Sequence, residues 1–269
     1  MKMKKILSFL LAAALVFTIA LPAFAAGYNP PSKGGYVYAS VDINTLGDGF
    51  LCEPVKVPFS AGESYEAVAL RLLGASNIVG ENDPDMGLYI AGIVLPRNIT
   101  VKIPQIILNK IGTPLSGSKA KGSALSEKEY SYDAGWMFTT NNAMVPMGLS
   151  SWYPQDGDVF RMQFSLYGYG ADLGVALSWP EAPAPLYNGA DRGALLKAAA
   201  EINSSSDRVK LLADSDVLAA YNSANTVLTN LTVTQSQVNS AQAALQKAVD
   251  AFYEKSLSFW EKLFAGAHC

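Results

Sequence analysis

Few residues of this chain could carry covalent chemistry. The single histidine, His268, stands beside the last residue, so Ser–His or Cys–His catalysis has almost no raw material. Ser118 and Lys121 have the Ser-x-x-Lys spacing of some acylating enzymes. Gly117 and Gly122 flank them and the companion motifs are missing, which makes the pair a chance match in a solvated loop, Gly117–Ser123. Glu81-Asn82-Asp83-Pro84-Asp85 reads as an acidic loop that could hold Ca²⁺, without the spacing of an EF-hand. Gly168–Gly174, GYGADLG, lacks the Lys-Ser/Thr and the strand-to-helix setting of a phosphate loop. Two cysteines and one histidine do not make a zinc site. A pair of carboxylates meeting in space stays open as a hydrolytic alternative, because spacing does not reveal such pairs.

Binding chemistry is better represented. Trp136, Trp152, Tyr153, Tyr167 and Tyr169 cluster within Gly135–Gly174. Exposed rings stack on sugars or on other flat ligands, whereas buried ones fill a core. Trp136 reads as core. For Trp152 and Tyr153 both readings stand, since Gly148-Leu149-Ser150-Ser151 before them and Pro154 after them suggest a loop, where binding residues concentrate. The candidate ligand contacts are therefore Trp152, Tyr153, Tyr167 and Tyr169. Cys52 and Cys269 could pair with each other, or Cys269 could pair between chains. The plainer alternative makes Cys52 a small buried hydrophobe and Cys269 a stray thiol.

The ends of the chain set its compartment. Lys2, Lys4 and Lys5, the apolar run Ile6–Leu21 and Ala23-Phe24-Ala25 form a secretory signal over residues 1–25. Nothing later resembles a membrane span, so a secreted or surface-associated product without a transmembrane segment is expected. Losing those three lysines leaves 17 basic against 23 acidic residues, a formal charge of −6. That balance argues against nucleic acid and anionic membrane as partners.

Alternation of Val37, Ala39, Val41 and Ile43 predicts a strand over Tyr36–Ile43, turned by Gly47-Asp48-Gly49 into a second strand with Val55, Val57 and Phe59. Ser64 is placed to cap a helix whose Tyr65, Val68, Leu72 and Leu73 share one face, with Gly74 at its end. Hairpin then helix opens a β-grasp arrangement. Further strands are expected at Leu88–Leu95, Trp136–Thr140 and Val159–Tyr167, and a short helix over Pro104–Ile111. In Val159–Tyr167, Phe160, Met162, Phe164 and Leu166 face a core, and Arg161, Gln163 and Ser165 face solvent, as in an antiparallel sheet covered on one side. Trp179–Pro185, WPEAPAP, reads as a stiff linker. Beyond it three Ala- and Leu-rich helices follow, the second after Asp214-Ser215 and the third opened by the capping-box pattern Thr234-Gln-Ser-Gln237. Short loops pack them as a three-helix bundle. The expected class is α+β: a β-grasp-like antiparallel sheet with one packed helix, plus a small three-helix bundle. The divisions are residues 1–25, 35–179, 180–187, 188–255 and an aromatic tail at 256–269, which docks on the body or touches a membrane surface.

Two resemblances add to this. Val37–Ile43, Ala61-Gly62-Glu63-Ser64, Gly135-Trp136-Met137, Asn141-Asn142 and Asp156-Gly157-Asp158-Val159 follow one another as in the transcobalamin-like C-terminal domain family of exported bacterial proteins. Asn142 stands where members of that family frequently have Gly. Ala220-Tyr221-x-x-Ala224, Thr234-Gln235-x-x-Val238-x-x-Ala241 and Ala244-Leu245 are similar to the FIVAR-type repeats of Gram-positive surface proteins. The resemblances imply a non-enzymatic binding or adhesion module whose partner is a glycan, a surface protein or a small molecule. Cobalamin or another corrinoid enters by the family name alone, and no cofactor is otherwise expected.

Overall fold

The computed structural model describes residues 30, 32–83, 87–145, 147–175, 177 and 183–265; for 257–265 it describes the helix path only. The signal segment, Trp179 and Cys269 lie outside the described residues.

The described residues form eight strands and six α-helices. Strands β1 (Gly34–Asp42) and β2 (Phe50–Ser60) form the expected hairpin, with Val37 opposite Val57. Helix α1 spans Tyr65–Leu73 and stops at Gly74, where φ is +78°. Ser64 occupies the N-cap position with an extended backbone, but its side chain makes no capping hydrogen bond. Then come β3 (Ile78–Asp83), β4 (Gly87–Val94), α2 (Gln105–Ile111), β5 (Ala124–Ser126), β6 (Gly135–Thr140), β7 (Ala143–Met144) and β8 (Val159–Ser165). The C-terminal helices are α3 (Gly193–Ser204), α4 (Arg208–Ala213), α5 (Ser215–Thr229) and α6 (Gln235–Ala265).

The strands build two sheets, one in the order β2-β1-β8-β6-β7 and one in the order β3-β4-β5. The larger sheet is mixed, not antiparallel as expected, because β1 and β8 run parallel at its centre. A chain that crosses α1 and the small sheet between β1 and β8 can return in the same direction, which a hairpin cannot.

Both faces of the large sheet are covered. Val37, Ala39 and Val41 of β1 and Phe160, Met162 and Phe164 of β8 point into the main core, shared with α1 and with Ile90, Ile93 and Leu125 of the small sheet. On the other face, Tyr38 of β1, Phe50 of β2 and Val159 of β8 join a second core with Leu195, Leu196 and Ala199 of α3, Tyr221 and Leu228 of α5, and Val238 and Leu245 of α6. The expectation that Arg161, Gln163 and Ser165 meet solvent is therefore corrected: all three are buried. Helices and the Gly-rich tail lie over that face, and polar side chains there pair with one another instead of with water.

Among the described residues, the helical part holds four α-helices. The short α4, between Asn203 and Asp214, is an addition to the three expected. Asp214 caps α5 by accepting from the backbone N–H of Asp216 and Val217. Thr234 and Gln237 exchange hydrogen bonds, Thr234 N–H to Gln237 Oε1 at 2.8 Å and Gln237 N–H to Thr234 Oγ1 at 3.3 Å, which realises the capping box. Helix α6 runs unbroken through the expected tail to Ala265. No helix among the described residues is long and apolar enough to cross a membrane. Residues 178–182 of the Pro-rich stretch lie outside the description; just beyond them, Leu186 and Tyr187 pack against the main core.

Candidate functional site

The Asp156-Gly157-Asp158 turn is a structural hub. Gly157 takes φ +85°, and Asp156 Oδ1 accepts from the Tyr36 N–H at 2.9 Å. The Asp158 carboxylate accepts from Tyr65 Oη and Asn141 Nδ2, each at 2.7 Å, and from the Gln155 N–H at 2.8 Å. Asn141 and Asn142 both have positive φ, +49° and +62°, the conformation of a tight hairpin turn that asparagine tolerates without glycine.

The aromatic candidates divide into two places. Trp152 packs on the main core, and its carbonyl accepts from the N–H of Tyr65 at the start of α1. Tyr153, half-buried, follows it. Tyr167 and Tyr169 come after the other end of β8, about 20 Å along a seven-residue strand. Tyr167 is half-buried, and Tyr169 is exposed with φ +52°. Trp152 and Tyr153 thus precede β8, and Tyr167 and Tyr169 follow it. Trp136 is buried, donates its indole N–H to the Leu125 carbonyl at 2.8 Å and meets Phe164 edge-on at 5.2 Å.

The other motifs read from sequence are spoken for. Glu81–Asp83 of the expected acidic loop belong to β3, paired with Gly87–Tyr89 of β4, and Pro84 and Asp85 lie outside the described residues. The Ser118 hydroxyl donates to Glu129 at 3.3 Å, and the backbone N–H of Lys121 donates to Asn98 Oδ1 at 2.8 Å. No group of three or more potential metal ligands gathers among the described residues. Asp172 of the Gly-rich tail is fully buried and accepts from Ser165 Oγ and the Leu166 N–H, both at 2.7 Å. Burial pushes its pKa up to about 6 against the opposing pull of those hydrogen bonds.

Two concavities lie elsewhere. A cleft of about 410 Å³ separates the Gly47–Phe50 turn from Asn225, Thr226 and Thr229 of α5, with Glu53 beside it. Its carboxylates have partners. Asp48 Oδ2 holds Arg97 Nη1 at 2.7 Å and the Thr100 N–H at 3.0 Å, and Glu53 accepts from Tyr221 Oη at 3.3 Å.

The second is a groove of about 400 Å³ where α1 and the two sheets meet. Its walls are Val41 of β1, Leu51 and Cys52 of β2, Leu72 and Leu73 of α1, and Ile93 and Val94 of β4 with Leu95 just beyond it. Val41, Ile93 and Leu95 are buried, whereas Leu51, Cys52, Leu72 and Leu73 keep part of their surface in the opening. Polar groups reach it only from Asn77, whose amide donates to the Leu73 carbonyl at 2.8 Å, and from Lys121 on the lip. Cys52 is a free cysteine among the described residues, and burial, aided by Glu53, raises its thiol pKa. The pairing of Cys52 with Cys269 falls outside the described residues.

Sequence reasoning passed over this groove. Its walls come from four separate stretches, each of which looks like ordinary core. No family model matches the chain, and no curated protein matches it.

Proposed function

We propose that this chain is an exported, non-enzymatic binding module whose ligand lies in the groove between α1 and the two sheets. The observation that carries the reading is the lining itself: aliphatic carbon from four elements around about 400 Å³, half-covered on β2 and α1, with the side chains of Asn77 and Lys121 at its margin. Small-molecule sites combine those properties, and this volume lies at the small end of their usual range, about 300–1,000 Å³. The chemistry offered is burial of an apolar body.

The order β2-β1-β8-β6-β7, with parallel central strands and α1 against one face, supports reading the larger sheet as β-grasp-like. Together with the Asp156–Val159 and Asn141–Asn142 turns, it supports kinship with the transcobalamin-like C-terminal domain family. The three longer helices α3, α5 and α6 favour the bundle reading and the FIVAR likeness. Residues 1–25 motivate export to the medium or the cell surface. A groove of this size favours a small apolar molecule over a corrinoid or an extended glycan.

The test is titration of the purified protein with N-phenylnaphthylamine, a neutral dye that brightens in apolar surroundings. A saturable, one-to-one gain in fluorescence is expected. A response that stays linear in dye, as with non-specific partition, would remove the reading.

A further inference from the structure

We infer that the groove selects an amphipathic carboxylate: an acyl-type body against Leu51, Leu72, Leu73 and Leu95, with its carboxylate at Lys121. The inference rests on the groove being the binding site, and charge carries it further. Lys121 is the one residue of the lining that bears a charge at neutral pH. No ion pair among the described residues engages it. The nearest acid along β2, Glu53, turns to the opposite face of the sheet, where it meets Tyr221 Oη at 3.3 Å and Arg208 at 3.7 Å. A ligand in the groove therefore meets one cation and no competing carboxylate.

The position of that cation is built in. The Lys121 N–H binds Asn98 Oδ1 at 2.8 Å, and the Gly122 N–H binds the Leu95 carbonyl at 3.0 Å. The Leu95 N–H binds the Ser123 carbonyl at 2.8 Å, and the Ile99 N–H binds the Lys119 carbonyl at 2.9 Å. These four bonds fasten the loop before β5 to the chain leaving β4, whose Ile93–Pro96 is the groove wall. The ammonium thus stands on a flexible stem from an anchored backbone, able to follow an anionic head group without disturbing the fold. An ammonium of this kind is a point charge that rewards an anion and penalises a cation.

The experiment displaces bound N-phenylnaphthylamine with decanoate, decanol or decyltrimethylammonium, which share a chain and differ in head charge. Lys121 is exposed, so decanoate is expected to displace the dye at about two- to five-fold lower concentration than decanol, the range for an exposed ion pair. Decyltrimethylammonium should be the weakest. Lys121→Gln should bring decanoate to the level of decanol, while Lys119→Gln, on the same loop, should not. Equal displacement by decanoate and decanol in the unmodified protein, or a preference that survives Lys121→Gln, overturns the carboxylate inference and leaves the groove standing. Failure of the dye to bind overturns both.

Discussion

The phenol of Tyr65, at the first turn of α1, donates a 2.7 Å hydrogen bond to Asp158, at the entry to β8. The ring is fully buried and stacks on Phe160 with centroids 4.9 Å apart. One side chain thereby ties the helix that walls the groove to the parallel strand pair at the sheet's centre. Burial, with the Asp158 charge second, drives the Tyr65 pKa far up, so the phenol remains a donor at all working pH. Tyr65→Phe keeps the stack and removes the donor; it should cost about 1–2 kcal/mol in urea unfolding. Asp158→Ala should cost more, since Asn141 and Gln155 lose their acceptor as well.

Asp42 and Arg161 form the most buried ion pair among the described residues, with side chains 2% and 6% exposed and Arg161 Nη2 2.8 Å from Asp42 Oδ2. Arg161→Met alone should destabilise by about 3–5 kcal/mol, because it strands a buried carboxylate. Pairing it with Asp42→Leu should recover most of that loss. Arg161 Nε has no hydrogen-bond partner among the described residues, so the native pair is itself incompletely satisfied. Chemical denaturation of the single and double variants measures both effects.

Asp172 sets a pH dependence. Its folded pKa of about 6 lies above the unfolded value of about 3.9. Below about pH 4 the carboxyl is neutral in both states. Between about 4 and 6 the unfolded chain releases a proton that the folded chain retains, so stability falls as pH rises through this window and then levels off. The loss attributable to this group is about 2–3 kcal/mol. Asp172→Asn should flatten that part of a melting-temperature profile, and an unchanged slope would assign it to other groups.

The two tryptophans should behave differently. Trp136→Ala empties a buried site and deprives the Leu125 carbonyl of its donor, for an expected loss of about 3–5 kcal/mol in unfolding free energy. Trp152→Ala together with Tyr153→Ala should cost less, because both rings are only half-buried, and should leave dye binding in the groove unchanged. Loss of dye binding in that double variant would return the ligand site to the aromatic loop.

What could be read from sequence follows the range of the forces involved. Helix α1 ends where Gly74 predicts, and α6 opens on its capping box, because both signals lie within one turn. The alternation in β8 identifies one core face correctly. Arg161, Gln163 and Ser165 imitate a solvent face because the groups that satisfy them, Asp42, Thr139 and Asp172, come from 119, 24 and 7 residues away. The short strands β5 and β7 carry too few residues to show a period. Leu51, Leu72 and Leu73 each look like core, and only the meeting of two sheets with α1 leaves them half-open.

The thiol of Cys52 allows the most direct measurement of the central claim, since it lines the groove itself. In a Cys269→Ser background, the rate at which a disulfide reagent modifies Cys52 should fall several-fold at fixed pH once decanoate saturates the protein, and denaturant should abolish the shielding. A rate unaffected by a ligand shown to be bound would contradict the account, because the ligand would then lie somewhere other than between α1 and the two sheets.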